Sequence, residues 1–505
     1  MLPWAHAVSI AITAAVLAGC AVSPQPLTNE QLLDMANQNT VRVAADQEGF
    51  AGAVSLYEAM ARALKYNLDY KVEIMQTSLR SAELRFSHFN MLPSAVVNSG
   101  YVSRNNYLSS GEKTLATGAE RGPTTTTFER NLLTYDFTLS WNVLDFGLSY
   151  VRARQAGDKA LMAEEAKRKV IQRVIEDVRT AYWRAVSAER MLQKLSALEE
   201  RTKTVLANTR RLYNEKETSP ITALTYEREL VEIRRTAEDL ARELSVAKTQ
   251  LGALMNTPPG VNFELADSLI NATAPILEID EKEMIGTALQ NRSELRDITY
   301  QKRINANEAH VALLELLPGV QLYAGVNHDS NKYLQNNQWV TWGAKASWNL
   351  LRAFQYPAKR RVIDAQDDLL DTKALALTMA VMTQVHVSRV RYAHASRELA
   401  TARELHDVQQ RLLTQMRNEA KAERISEQTL VREEMNALVA EAKRDIAFAT
   451  LQNAFANIFA SVGIDPYSTG LVLDDGVQEL ALRLKALWIE RGDFGGSYRI
   501  ALAQQ

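Results

Sequence analysis

The sequence is short of helix breakers, of cysteine and of net charge. Gly and Pro number only 21 and 12 in 505 residues, which points to long helices rather than a chain of turns. Cys20 is the one cysteine, so a disulfide within the chain is excluded and a thiolate-ligated zinc site lacks ligands. Lys plus Arg total 58 against 60 for Asp plus Glu, and that balance offers no electrostatic footprint for nucleic acid. Beyond the N-terminus there is no run of about 18 apolar residues, so no internal helix spans a bilayer. The strands of a β-barrel escape that test because they alternate. HExxH, GxSxG and phosphate-cradling GxxxxGK[ST] patterns are all missing. The seven His are scattered; His386 and His394, with Met379 and Met382 nearby, fit ordinary helix-face positions. Asp145-Phe146-Gly147 has no kinase context and reads as a turn ending a strand. No enzyme activity, cofactor or metal is expected.

What is present begins with Asn131–Leu144. Leu133, Tyr135, Phe137, Leu139 and Trp141 share one face of an extended strand, and Thr134, Asp136, Thr138, Ser140 and Asn142 the other, a period of two. A helical pattern precedes it, starting near Ser55 and running to about Met91, where Leu92-Pro93 ends it. Ser94–Arg104 then alternates, and Asn105–Arg130 is a polar Gly/Ser/Thr loop. After the strand, helical spacing runs from about Val151 to Asn214 and, past Pro220, to near Met255. Roughly 60 residues at 1.5 Å rise make a helix about 90 Å long.

The whole arrangement recurs at an offset of about 225 positions. Ala63-Leu64 matches Ala288-Leu289, and Leu92-Pro93 matches Leu317-Pro318. Val340, Trp342, Ala344, Ala346 and Trp348 repeat the apolar face; Thr341, Gly343, Lys345, Ser347 and Asn349 repeat the polar one. A second helical pair follows, Ala358 to about Asn418 and Arg424 to Val462. The predicted units are 55–257 and 281–466, joined by a linker at 258–280 and followed by a tail at 467–505. Within that tail Val477–Ile489 is amphipathic and fits either a collar around the middle of the helices or a disordered end.

At the N-terminus Val8–Leu17 is an apolar core of signal-peptide length, giving a signal at 1–19. Leu17-Ala18-Gly19-Cys20 resembles the bacterial lipobox, which implies lipidation of Cys20 and a tether over 20–54. By the same resemblance, Ala21 favours the outer membrane.

Four strands of about 10 residues suit a tilted transmembrane β-strand but cannot close a barrel, and open edges are not tolerated in lipid. Three copies would supply twelve strands, an even number in the known range. Tyr135, Phe137, Leu139, Trp141, Val340, Trp342 and Trp348 would then meet lipid; Asp136, Thr138, Ser140, Lys345 and Asn349 would face a water-filled pore.

On the duplication, the Leu-Pro junctions, Leu139-Ser140-Trp141-Asn142 with Phe146-Gly147 leading into a helix, and the two helix-pair turns, the chain resembles the TolC family of outer-membrane efflux proteins over about Ser55–Pro466. The resemblance implies a mainly α protein with a transmembrane β-barrel, built as a homotrimer with a twelve-strand barrel and an α-helical coiled-coil tunnel through the periplasm. It also implies a periplasmic adaptor protein docked on the far helix turns and an inner-membrane pump (RND, ABC or type I secretion) behind it. Those turns resemble Thr218, Ser219, Pro220, Ile221 and Thr222, and Arg424, Ile425 and Ser426. The family's usual Gly before each turn is replaced by Glu215–Glu217 and Ala420–Ala422. The competing reading is a lipid-anchored periplasmic coiled-coil scaffold or adaptor without a pore.

Overall fold

A computed structural model describes residues 24–45, 47–109, 111–122, 126–215, 219–266, 276–278, 280–467, 475–493 and 497–499. The predicted signal peptide, the lipobox residues Leu17, Ala18, Gly19 and Cys20, and the turn residue Thr218 lie outside them. In chain order the elements are α1 (Asn29–Ala44), α2 (Leu56–Tyr66), α3 (Leu68–Phe89), β1 (Ser94–Ser103), β2 (Glu112–Lys113), β3 (Glu120–Arg121), β4 (Asn131–Asn142) and α4 (Val143–Asn214). Next come α5 (Pro220–Ser245), α6 (Ala247–Leu254), β5 (Ile276–Glu278), α7 (Glu281–Asn291), α8 (Ser293–Leu314), β6 (Gly319–Asp329) and β7 (Gln338–Ser347). The chain closes with α9 (Leu351–Lys421), α10 (Glu427–Val462), α11 (Val477–Glu490) and β8 (Ser497–Arg499).

β1, β4, β6 and β7 form one antiparallel sheet in the order β1-β4-β6-β7. Register is fixed by Ser94 opposite Ser140, Thr138 opposite Gly325 and Ala324 opposite Trp342. Helices α4 and α9, 72 and 71 residues long, leave the same end of this sheet and extend for about 105 Å.

Several sequence expectations are corrected. The helix expected from Ser55 to Met91 is two helices, α2 and α3, parted at Asn67. Asn67 takes an extended ψ of 126° and its side chain caps the Tyr70 amide. Arg292 parts α7 from α8 with the same ψ of 126°, though its side chain does not cap the helix. Asp145-Phe146-Gly147 is not a strand-end turn: it lies in the opening turns of α4, because Asn142 Oδ1 accepts from the Leu144 and Asp145 amides and starts the helix there. This is an N-cap, which satisfies donors that a helix end leaves open. The second long helix begins at Leu351 rather than Ala358 and carries Pro357 inside it; so near the N-terminus the proline removes a single ladder bond. The return helix of the first pair is interrupted at Val246, between α5 and α6. The second return helix starts at Glu427, capped by Ser426, with Arg424 and Ile425 left in the turn.

The loop at 105–130 holds the small β2-β3 hairpin. The linker at 258–280 contributes β5, paired parallel to β8 of the tail, and Leu265, bridged to Val54. The tether contains α1, opened by a capping box between Thr28 and Gln31.

The core sits halfway along the long helices, where the short helices join them. Trp183 of α4 stands edge-on to Phe448 of α10 at 4.9 Å, and Trp488 of α11 edge-on to Phe459 at 5.7 Å. The amphipathic tail segment is therefore part of this core: Val477, Leu480, Leu484 and Trp488 of α11 are buried. α10 ends at Gly463 in the left-handed conformation, φ 76°. A Cβ there would lie 2.8 Å from the Asn291 carbonyl carbon, so only glycine closes this junction.

Beside the core, Glu176 borders a cavity of about 630 Å³ shared with Asp69, Asp177, Arg184, Asn453 and Asn457. Burial pushes its carboxyl up to about 7; Asn457 donates to it and Arg292 draws it down, while Asp177 adds to the rise. A carboxyl raised in the folded state contributes its stability below the unfolded value near 4.5, and loses it as pH rises through about 7. Glu176→Gln keeps an acceptor for Asn457 and removes the titration. Its melting temperature is expected to exceed the parent's near pH 8, by the equivalent of roughly 1–3 kcal/mol, and to match it near the pH of the unfolded carboxyl. Thermal melts across that range check this.

Candidate channel-forming sheet and helix tips

The sheet exposes its apolar side chains. Tyr135, Phe137, Leu139 and Trp141 are all exposed, while Asp136, Thr138 and Ser140 between them are half-buried. Val340 is 68%, Trp342 82% and Trp348 62% exposed. This reverses the usual order of a soluble sheet, where the apolar face is the covered one. The polar face is tied together across strands. Asn98 Nδ2 donates to Asp136 Oδ2 at 2.9 Å, Thr138 Oγ1 to the same oxygen at 3.2 Å, and Asn327 Nδ2 to Thr341 Oγ1 at 2.9 Å. The Ser94 and Ser140 hydroxyls are 2.7 Å apart.

Two of the tryptophans occupy matching places. Trp141 donates its indole N–H to the Met91 carbonyl at 3.3 Å, and Trp348 donates to the Leu316 carbonyl at 2.9 Å. Each clips a strand to a helix-to-strand junction. Trp348 and Asn349 stand just past the end of β7, and Asn349 Oδ1 accepts from the Leu351 amide where α9 begins. Lys345 lies within β7 and is exposed. β1 and β7 each pair with a single strand among the described residues, so the sheet has two open edges.

At the far end of the long helices are the two turns. Pro220 is the first residue of α5, preceded by Ser219; Ile221 is 79% exposed and Thr222 is also exposed. In the second turn Glu423 holds the left-handed conformation, φ 56°, the place where a glycine carries no strain. Ile425 packs against a small apolar patch of Leu413, Leu430 and Ala437.

The two helix pairs are joined by charge, which the sequence did not disclose. Arg201 of α4 reaches Glu434 of α10 at 2.6 Å, and Arg417 of α9 meets the same carboxylate at 3.4 Å. Lys194 binds Glu441 at 2.8 Å, and Arg190 lies 3.4 Å from it. Burial raises the Glu441 carboxyl, but Lys194, Arg190 and Arg444 outweigh it and hold the group below the ordinary carboxylate range. Between these side chains is a cavity of about 440 Å³ lined by Leu198, Gln410 and Leu413 with the charged groups. Partners more than 200 residues apart leave no local pattern.

The sheet thus presents a hydrogen-bonded polar face, an exposed apolar face and, among the described residues, two open edges. Comparison with solved structures finds the same fold. The outer-membrane channel OprN superposes with a TM-score of 0.62 at 16% identity, covering 81% of this chain and 89% of that one. The fold is that of outer-membrane channels. The open-state MtrE outer membrane channel of Neisseria gonorrhoeae gives a TM-score of 0.62 at 13% identity, covering 84% and 95%. The Campylobacter jejuni CmeC outer membrane channel gives 0.61 at 12% identity, covering 93% and 98%. Protein-family models and curated proteins give no match. The channel fold thus extends over nearly the whole length of its structural neighbours, and these neighbours are channels rather than enzymes.

Proposed function

We propose that the protein is the outer-membrane duct of a tripartite efflux or type I secretion system, working as a homotrimer. The observation that carries this reading is the open-edged, four-stranded sheet with its apolar face exposed, continued by helices of 72 and 71 residues. Three such sheets close a twelve-stranded barrel, and the helices continue it as a tunnel into the periplasm. Tyr135, Phe137, Leu139, Trp141, Val340, Trp342 and Trp348 meet lipid; Asp136, Thr138, Ser140, Lys345 and Asn349 belong to the water side. The units 55–257 and 281–466 are the two tandem repeats of this wall, joined by the 258–280 linker.

Exposed apolar stripes on the flanks of each protomer supply the seams between copies. Leu68, Val72, Met75 and Leu79 recur on α3, and Val362, Leu369 and Met379 on α9, all exposed in the single chain. Spacings of three, four, seven and ten keep residues on one helix face, as in helix-to-helix seams. Lipidation of Cys20 anchors the N-terminus in the outer membrane, with 20–54 as tether. The turns at Thr218–Thr222 and Arg424–Ser426 receive a periplasmic adaptor, behind which an RND or ABC transporter supplies the energy. Opening at that end requires the helix pairs to part, and the Arg201–Glu434 and Lys194–Glu441 bridges are what must give way.

Single-channel recording in planar bilayers tests the proposal. The purified protein is expected to insert and give discrete open-pore conductance steps. A protein that associates with the bilayer through its lipid yet gives no conductance is the pore-free scaffold instead.

A further inference from the structure

We infer that α1 is a strap between protomers, laying its apolar face on α9 of the neighbouring copy at the foot of the seam. The inference rests on the homotrimer proposed above. Within one chain α1 is a helix without a core. Every side chain from Asn29 to Val43 is exposed, Leu32, Leu33, Met35 and Val43 among them. A helix of 16 residues is marginal in water on its own. Its faces are nonetheless sorted. Leu32, Ala36 and Val43 share one side by spacings of four and seven, and Glu30, Asp34 and Gln38 share the opposite side. Its far end is fastened to the body. Asn256 Nδ2 donates to the Val43 carbonyl at 2.9 Å, and the Asn256 carbonyl accepts from the Gln47 side chain.

That root lies on one flank of the protomer. Asn67, where α3 begins, donates Nδ2 to the Leu254 carbonyl at 3.1 Å, two residues from Asn256. α1 therefore leaves the body at the foot of α3, where the apolar seam of Leu68, Val72, Met75 and Leu79 starts. Below the sheet the helices stand in the order α3, α4, α8, α9, matching the strand order β1-β4-β6-β7 above them. α3 and α9 are the two outer helices, so a closed ring sets α3 of one copy against α9 of the next. α9 passes the level of the root at Gln384, which accepts at 2.9 Å from Arg292, the repeat's counterpart of Asn67. Just above that level Leu375, Met379 and Met382 are exposed, on one face by spacings of four and seven. Val381 and Val385 beside them are buried in the core of their own chain. Two exposed apolar faces thus meet at the same corner of the ring, and the methionines adapt to the shape they receive.

The heights agree. With Cys20 anchored as proposed, α1 rises from its root toward the barrel alongside α3. Its 16 residues span about 24 Å, and the 22 of α3, which reach the sheet, about 33 Å. α1 therefore ends about 9 Å short of the sheet, below the bilayer surface that an interfacial helix would occupy. Leu32 stands about 17 Å above Val43, and Leu375 about 14 Å above Gln384, so the two are level across the seam.

Crosslinking of the full-length protein in detergent with a short bismaleimide tests this. The pair Leu32→Cys with Leu375→Cys is expected to run mostly as covalent dimers and trimers on denaturing gels. Each single variant, which also reports on Cys20, is expected to remain a single chain. Asp34→Cys with Leu375→Cys, on the polar face of α1, is expected to crosslink far less. A crosslink confined to one chain, no crosslink, or an equal yield from the Asp34→Cys pair overturns the inference, because α1 is then covered by its own chain, by lipid or by another protein. If any of these occurs in a sample that is trimeric by light scattering, the channel reading stands and only the strap falls; a sample without trimer removes the assembly itself.

Discussion

Asp493→Ala is expected to lower stability by about 3–5 kcal/mol, the cost of stranding one member of a buried ion pair. Asp493 and Arg179 are both fully buried, 2.7 Å apart, in a bidentate contact. Arg179 also lies 4.3 Å from the centre of the Trp488 ring and donates to Gln452 at 2.9 Å. Tyr57 of α2 donates its hydroxyl to Asp493 at 3.1 Å, and burial holds that phenol far above its ordinary range, so it remains a donor. One carboxylate thus fastens the tail to α2 and to the middle of α4. Removing it leaves a guanidinium in the core with no counter-charge. The double variant Arg179→Met, Asp493→Leu is expected to recover most of the loss, since an apolar pair of similar volume does not strand a charge. Thermal melts of the three purified proteins check this; an Asp493→Ala melt equal to the parent's would show that the tail is not held by this contact.

Trp342→Arg is expected to abolish accumulation of the membrane-inserted assembly. Trp342 lies at the centre of β7, opposite Ala324, with 82% of its surface exposed. If that surface meets hydrocarbon, an arginine costs about 2–4 kcal/mol per copy near the bilayer midplane, and a symmetric assembly incurs it in every copy. If the surface meets water, the change costs almost nothing, as at other exposed positions. Heat-modifiable migration of the outer-membrane fraction on gels separates the two. Lys345→Thr, on the polar face of the same strand, serves as the control and is expected to assemble normally.

The sheet was the most legible part of the chain. Strand phase depends on alternation alone, and Tyr135 to Trp141 and Val340 to Trp348 alternate without a slip. The helix breaks at Asn67 and Arg292 were hidden because apolar spacing continues through both and no Gly or Pro marks them. The start of α4 was hidden by Asp145-Phe146-Gly147, which looks like a turn; the decisive residue is the cap, Asn142, which also ends the strand pattern. α1 lies inside the stretch expected as a tether, 20–54, although Thr28 and Gln31 spell a capping box at its start. The long-range ion pairs, Arg179 to Asp493 and Arg201 to Glu434, join residues too far apart for any periodicity to show.

Light scattering on the detergent-purified protein measures the one quantity on which the proposed barrel depends. A mass of three copies of the chain, net of detergent, is the predicted result, because among the described residues the sheet of each copy has two open edges. A particle holding a single copy, with its four strands intact by circular dichroism, would contradict the account.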